Sequence, residues 1–234
     1  MKRKNAITSS QSAEVDAFLM KVAATPPSVA QNGKGRLIFA LDATASREPT
    51  WDQACDIQAQ MFTDTSALGN LLVQLAWYRG FREFQASPWL SDSPSLLQTM
   101  SSVRCLGGRT QIGRLLQHAC NEARQNKINA LVFIGDAFEE DIDQVCQHAG
   151  ELGMYGVPVF LFHEGNNADT HKAFSQIARL SKGAVCSFDP NSPQQLRNLL
   201  AAVAVYAVGG RKALTQHGRR HGDALLQLTQ QLKL

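Results

Sequence analysis

The sequence has no Cys-x-x-Cys pair, no apolar run long enough to cross a bilayer, and no repeated or low-complexity segment. Without cysteines paired at metal-binding spacing, a zinc ribbon or knuckle has no support. The five cysteines, Cys55, Cys105, Cys120, Cys146 and Cys186, are odd in number and spread through apolar patterns. They read as buried thiols in a reducing compartment. The longest apolar stretch, Leu199 to Gly210, is about half of what a membrane span needs. The opening Met-Lys-Arg-Lys is followed by polar residues from Asn5 to Glu14, where a signal peptide would need an apolar run. The expected location is the cytoplasm, with no membrane contact. Charge of one sign is also scarce: a formal +3 on 234 residues gives no bulk electrostatic reason to expect nucleic acid as a partner.

An apolar fraction of 44% supports a continuous core in a chain of this length. Val15, Phe18, Leu19 and Val22 recur at helical spacing within 11–24, and Pro26-Pro27 stops the run. A polar, Gly-containing linker leads to Arg36-Leu-Ile-Phe-Ala-Leu-Asp42, a buried strand ending in a carboxylate. A helix over 50–64 follows, with Thr50 as N-cap. Asn70–Tyr78 and Arg82–Ala86 flank Arg79-Gly80-Phe81 and predict a hairpin, hence one antiparallel edge. A short helix near Ser95–Val103 precedes the turn Gly107-Gly108-Arg109-Thr110, which opens a longer helix to about Asn126. Ala130-Leu-Val-Phe-Ile-Gly-Asp136 is a second buried strand ending in a carboxylate. A helix over 141–153, a strand Val157–Phe162, a helix over 169–181, a strand Ala184–Phe188 and a helix over 193–207 complete the alternation. That pattern requires a mostly parallel sheet covered on both faces, a three-layer α/β/α architecture. The expected organisation is an N-terminal helix and linker over 1–34, the main domain over 35–208, and a basic tail with a final Leu-bearing helix over 209–234.

Open α/β sheets build ligand sites at the C-terminal ends of their strands, and Asp42 and Asp136 both stand there. In Asp42-Ala-Thr44-Ala-Ser46, oxygen side chains occupy alternate positions where strand becomes loop, and alternation points them one way. Carboxylate and hydroxyl oxygens suit a hard divalent ion, Mg2+ or alternatively Mn2+ or Ca2+.

Asp42-Ala-Thr-Ala-Ser46 resembles the D-x-S-x-S signature of von Willebrand factor A domains, with Thr44 keeping the hydroxyl of the first serine. Gly107-Gly108-Arg-Thr110 and Ile134-Gly-Asp136 resemble the other two elements of that family's metal-ion-dependent adhesion site. The order and spacing match over roughly residues 35 to 208. The resemblance implies the von Willebrand factor A fold, Asp42, Thr44, Ser46, Thr110 and Asp136 as the metal-holding set, and a partner carboxylate at the open position. It also implies an intracellular bacterial adaptor whose partner is an AAA-type ATPase or another assembly component. Arg47 and Arg109 are expected to contact the partner. The sequence departs from the family at Ala137, where many members carry Gly.

The leading expectation is a non-enzymatic protein-interaction module that binds a partner Asp or Glu through the metal. One alternative is a metal-dependent phosphatase-like hydrolase, but Thr44 stands where a D-x-D pair would supply the general acid. No P-loop or nucleophile elbow supports catalysis either. Another is a metal-free scaffold that recognises partners through its terminal helices. Glu139, Glu140, Asp141 and Asp143 read as helix N-terminal acids favoured by the macrodipole. His217 and His221, with the basic run from Arg211 to Arg220, read as a solvated tail, and His118, His148, His163 and His171 read as structural.

Overall fold

Alternation within the apolar strands decides the layering. In the first strand, β1 (Gly35–Asp42), Leu37, Phe39 and Leu41 enter one hydrophobic cluster, while Ile38 and Ala40 enter another. The fourth strand in sequence divides in the same way: Val132 and Ile134 go to the first cluster and Leu131 and Phe133 to the second. A strand with period-two side chains and both faces buried must be covered twice.

The computed structural model describes residues 14–25, 34–49, 51, 71–188 and 196–209. Helix α1 covers 14–24. After β1 come a 3-10 turn at Ala45–Arg47, β2 (Leu71–Arg79), β3 (Glu83–Leu90) and α2 (Ser93–Ser102). The chain continues with α3 (Ile112–Gln125), β4 (Ala130–Gly135), α4 (Ile142–Tyr155) and β5 (Val159–Glu164). It then forms α5 (Ala168–Ser181), β6 (Ala184–Phe188) and α6 over 196–209. The helix expected over 50–64 falls outside the described residues except at Trp51. Cys55, the basic tail and the final helix lie wholly outside them.

Among the described residues, six strands run in the order β3-β2-β1-β4-β5-β6. All neighbours are parallel except β2 and β3, so the expected antiparallel edge is present. Gly80 and Arg82 turn that hairpin at positive φ of 56° and 64°. β3 continues to Leu90, past the expected Ala86, and carries Pro88 in an edge strand, where a missing donor costs least. β5 starts at Val159 rather than Val157 because Pro158 has no N–H to give the ladder.

Helices α3, α4 and α5 cover one face through Leu115, Leu116, Ala149, Leu152, Phe174 and Ile177. Helices α1, α2 and α6 contribute to the other through Phe18, Val22, Met100, Leu199, Val203 and Tyr206. Phe18 in α1 lies 5.1 Å from the Phe162 ring and 6.0 Å from that of Phe160. Ser187 N donates to Glu14 Oε1 at 2.7 Å, tying α1 to β6. The amphipathic N-terminal helix therefore packs as a structural part of the sheet's cover. Cys120 and Cys186 are buried as expected, whereas Cys105 and Cys146 are only half-buried.

Candidate metal and partner site

Strand order reverses between β1 and β4. The connection leaves β1 toward β2 and β3, returns to β4 on the opposite side of β1, and then proceeds outward to β6. Crevices form at such switch points, beyond the carboxyl ends of the strands. Leu41 pairs with Ile134, which sets Asp42 beside the end of β4 and close to Asp136. A Cβ on Gly135 would come within 3.4 Å of the Asp42 Cβ and within 2.6 Å of the Phe133 ring. The residue between strand and carboxylate must therefore be small.

Asp42 is fully buried. Its Oδ1 accepts a hydrogen bond from Thr44 N at 2.8 Å, and its Oδ2 accepts one from the Tyr78 hydroxyl at 2.9 Å. Burial pushes the carboxyl above its ordinary value, while the bonds from Thr44 and Tyr78 pull it back down. Asp42 thus pins its own loop to β2.

The chain does not continue as a strand past Asp42, so the expected alternation is not what aligns the hydroxyls. Thr44 is still extended, and Ala45–Arg47 then coil into a 3-10 turn. That turn brings the Thr44 and Ser46 hydroxyls within 3.1 Å of each other. Thr44 is buried and Ser46 exposed, so the pair runs from the interior to the mouth.

The third segment is tied down by backbone. Ala43 N donates to Tyr78 O, Leu106 N to Ala43 O, and Gly80 N to Leu106 O, at 3.0, 3.1 and 3.2 Å. Gly108 lies so close to the hairpin that a Cβ there would sit 2.0 Å from Gly80 O. This glycine is required for close approach, and it sets the loop that carries Thr110. Thr110 is buried, and its Oγ1 accepts from Glu139 N at 3.0 Å.

Asp136 follows β4, and its Oδ1 is buried without a hydrogen-bond partner. A buried anionic acceptor left unsatisfied is costly. The structure therefore brings Asp42, Thr44, Ser46, Thr110 and Asp136 to one end of the sheet, with one carboxylate oxygen still lacking a donor. That orphaned oxygen, the paired hydroxyls and the absence of a thiol or imidazole from the set fit a hard divalent ion.

Arg47 differs from the expectation of a partner-facing side chain. It is fully buried and forms an ion pair with Glu164 at the end of β5. Burial pulls the guanidinium below its ordinary value, and the charges of Asp42 and Asp136 raise it again. The 3-10 turn points this side chain inward, toward the carboxylates. Arg109, by contrast, is exposed.

The acidic run after Asp136 has a split role. Asp141 caps its own helix α4 through Asp143 N at 2.9 Å. Glu140 instead accepts from Ile112 N and Gly113 N at 2.5 and 2.9 Å, at the start of α3. Glu139 Oε2 accepts from Thr110 N at 3.3 Å. These acids do serve helix N-termini, but two of them serve the neighbouring segment. Sequence reasoning missed Tyr78 and Glu164. Glu164 carried a usable signal, since it ends an apolar strand just as Asp42 does and as Asp136 follows one.

No protein-family model matches the chain, and no curated protein matches it. Solved structures do. The von Willebrand factor type A protein from Catenulispora acidiphila aligns with a TM-score of 0.60 at 15% identity, over 73% of this chain and 43% of that one. The SpRpn10 VWA domain aligns with a TM-score of 0.56 at 16% identity, over 71% of this chain and 94% of the domain. Proximal thread matrix protein 1 from the mussel byssus, with a zinc-occupied MIDAS motif, aligns with a TM-score of 0.60 at 14% identity, over 73% and 48%. This chain spans less than half of the first and third of these proteins. Its fold is that of the von Willebrand factor A domain.

Proposed function

We propose that this chain is a non-enzymatic protein-interaction module whose Asp42, Thr44, Ser46, Thr110 and Asp136 hold a divalent cation, Mg2+ in the first instance. The observation that carries the reading is the Asp136 Oδ1, buried without a partner at the same switch point of the sheet where the Thr44 and Ser46 hydroxyls pair. Bound there, the ion would supply a positive charge with a coordination position open to a carboxylate.

The chain's own residues divide the work. Thr44 and Ser46 offer neutral oxygens, which leave charge on the ion for an incoming anion. Asp42, with both oxygens already accepting hydrogen bonds, orders the loop and adds charge. Arg47 pairs with Glu164 and also faces Asp42 and Asp136, so three carboxylates outnumber one guanidinium and leave negative charge to meet a dication. Arg109 is exposed, which supports its contact with an acidic partner in this reading. An AAA-type ATPase or a similar assembly component of a bacterial cytoplasm is the partner class in this proposal. The buried thiols Cys120 and Cys186 support a reducing compartment.

One observation favours a second reading, a metal-free scaffold. The buried Arg47 already supplies a cation among these acids, so the site could be charge-balanced by protein alone. Calorimetric titration of the intact chain with Mg2+ and with Mn2+ separates the two. Saturable heat that disappears in Asp136→Ala, with an unchanged circular dichroism spectrum, supports the metal-dependent module. No heat with either ion overturns it and leaves the scaffold.

A further inference from the structure

Helices α3 and α4 lie side by side on one face of the sheet and place a second set of metal-ligating side chains together, away from the strand ends. Cys120, near the middle of α3, is 1% exposed. Across the helix interface stand His148 and Glu151, three residues apart on α4 and therefore on one face of it. One ligand atom from each of the three lies within 4.8 Å of the others.

The bland reading is a core thiol beside a surface acid–base pair. It accounts for Cys120, whose thiol donates to His148 O at 3.6 Å. It also accounts for Glu151, whose Oε1 accepts from Arg124 Nη2 at 2.5 Å. It does not account for the imidazole. His148 Nδ1 is buried and has no hydrogen-bond partner, a state that a folded protein avoids unless something else occupies the lone pair or proton. A groove of about 320 Å³ leads to that ring from solvent, lined among others by Gly113, Gln117, Glu140, Gln144 and His148. The groove gives solvent access to the imidazole side of the cluster.

We propose that Cys120, His148 and Glu151 form a three-ligand site for Zn2+, independent of the oxygen site at the strand ends. One thiolate, one imidazole and one carboxylate are a borderline-soft set that prefers zinc to magnesium. Binding exchanges the Cys120 thiol proton, released to solvent, for the metal–sulfur bond, with no change of oxidation state. The two ligand charges neutralise the ion. Arg124 donates to Glu151 Oε1 and so orients the carboxylate from outside. With three protein ligands a tetrahedral zinc would keep one position for water, the pattern of an open rather than a closed zinc site.

The test uses Co2+ as a spectroscopic stand-in for Zn2+ on the full chain, because thiolate ligation gives an intense near-ultraviolet charge-transfer band that oxygen ligands do not. The expected result is that band at about one equivalent of Co2+, its displacement by Zn2+, and its loss in Cys120→Ser and in His148→Gln. His148 is less deeply buried than Cys120, so the second variant keeps the result interpretable if the first unfolds. Asp136→Ala should retain the band, which separates this site from the strand-end site. Absence of the band in the native chain, or its persistence in His148→Gln, overturns the proposal. So does its loss in a folded Asp136→Ala.

Discussion

The Arg47 guanidinium and the Glu164 carboxylate pair at the end of the sheet with side-chain exposures of 0% and 10%. A pair this buried contributes less through attraction than through the cost of breaking it. Removing one partner strands the other charge, at about 3–5 kcal/mol. Glu164→Gln is therefore expected to lower the denaturation midpoint strongly in urea melts, and a loss under about 1 kcal/mol would show that Asp42 and Asp136 hold the guanidinium without it.

Arg47→Met tests the same pair from the other side. It removes the cation and leaves Asp42, Asp136 and Glu164 mutually repelling. A divalent ion should relieve that repulsion, so Mg2+ should raise the melting temperature of Arg47→Met more than that of the native chain. Equal shifts in a thermal scan would show that Arg47 does not compete for the site.

Gly108→Ala probes the site without touching a ligand. The new Cβ would lie 2.0 Å from Gly80 O, forcing the Thr110 loop off the hairpin. Mg2+ affinity, read by calorimetry, should fall at least about tenfold, the scale seen when supports behind a metal ligand are lost. Unchanged affinity would mean that Thr110 is not part of the shell.

Phe18→Ala measures how integral α1 is to the domain. Phe18 is 1% exposed and meets the Phe160 and Phe162 rings, so its truncation should cost about 3–5 kcal/mol. Urea unfolding gives the value directly, and a cost below about 1 kcal/mol would mark α1 as a detachable arm.

Asp92 gives a pH prediction. Its Oδ1 accepts from Ser95 N at 2.8 Å at the start of α2, and the bonds from Ser95 hold this exposed carboxyl below its ordinary value. The folded chain then binds this proton less tightly than the unfolded chain. The contribution is present above the ordinary value and is lost as pH falls through the lowered folded value. Asp92→Asn, which keeps an oxygen for the cap, should flatten the acid limb of melting temperature against pH slightly. An unaltered limb would assign the cap no ionic component.

By itself the sequence determined whatever depends on short-range period and composition. Leu37, Phe39 and Leu41 against Ile38 and Ala40 specify a strand buried on both faces, and hence a three-layer fold. The apolar runs ending at Asp42 and Asp136 locate the two carboxylates of the proposed site, because a strand's end is where its ladder stops and its side chains reach a crevice. The Gly107-Gly108 turn marks the Thr110 loop for the same local reason. Only the tertiary structure decided the rest. Whether Arg47 turns inward depends on the 3-10 geometry and on Glu164, which lies two strands away in the sheet. Glu140 caps a helix that precedes it by 28 positions, which no reading of its own helix could show. Cys120 meets His148 and Glu151 only because α3 and α4 pack side by side. Side-chain periodicity is a property of neighbours along the chain, whereas pairing of charges and ligands is a property of neighbours in space, and strand order and helix packing connect the two.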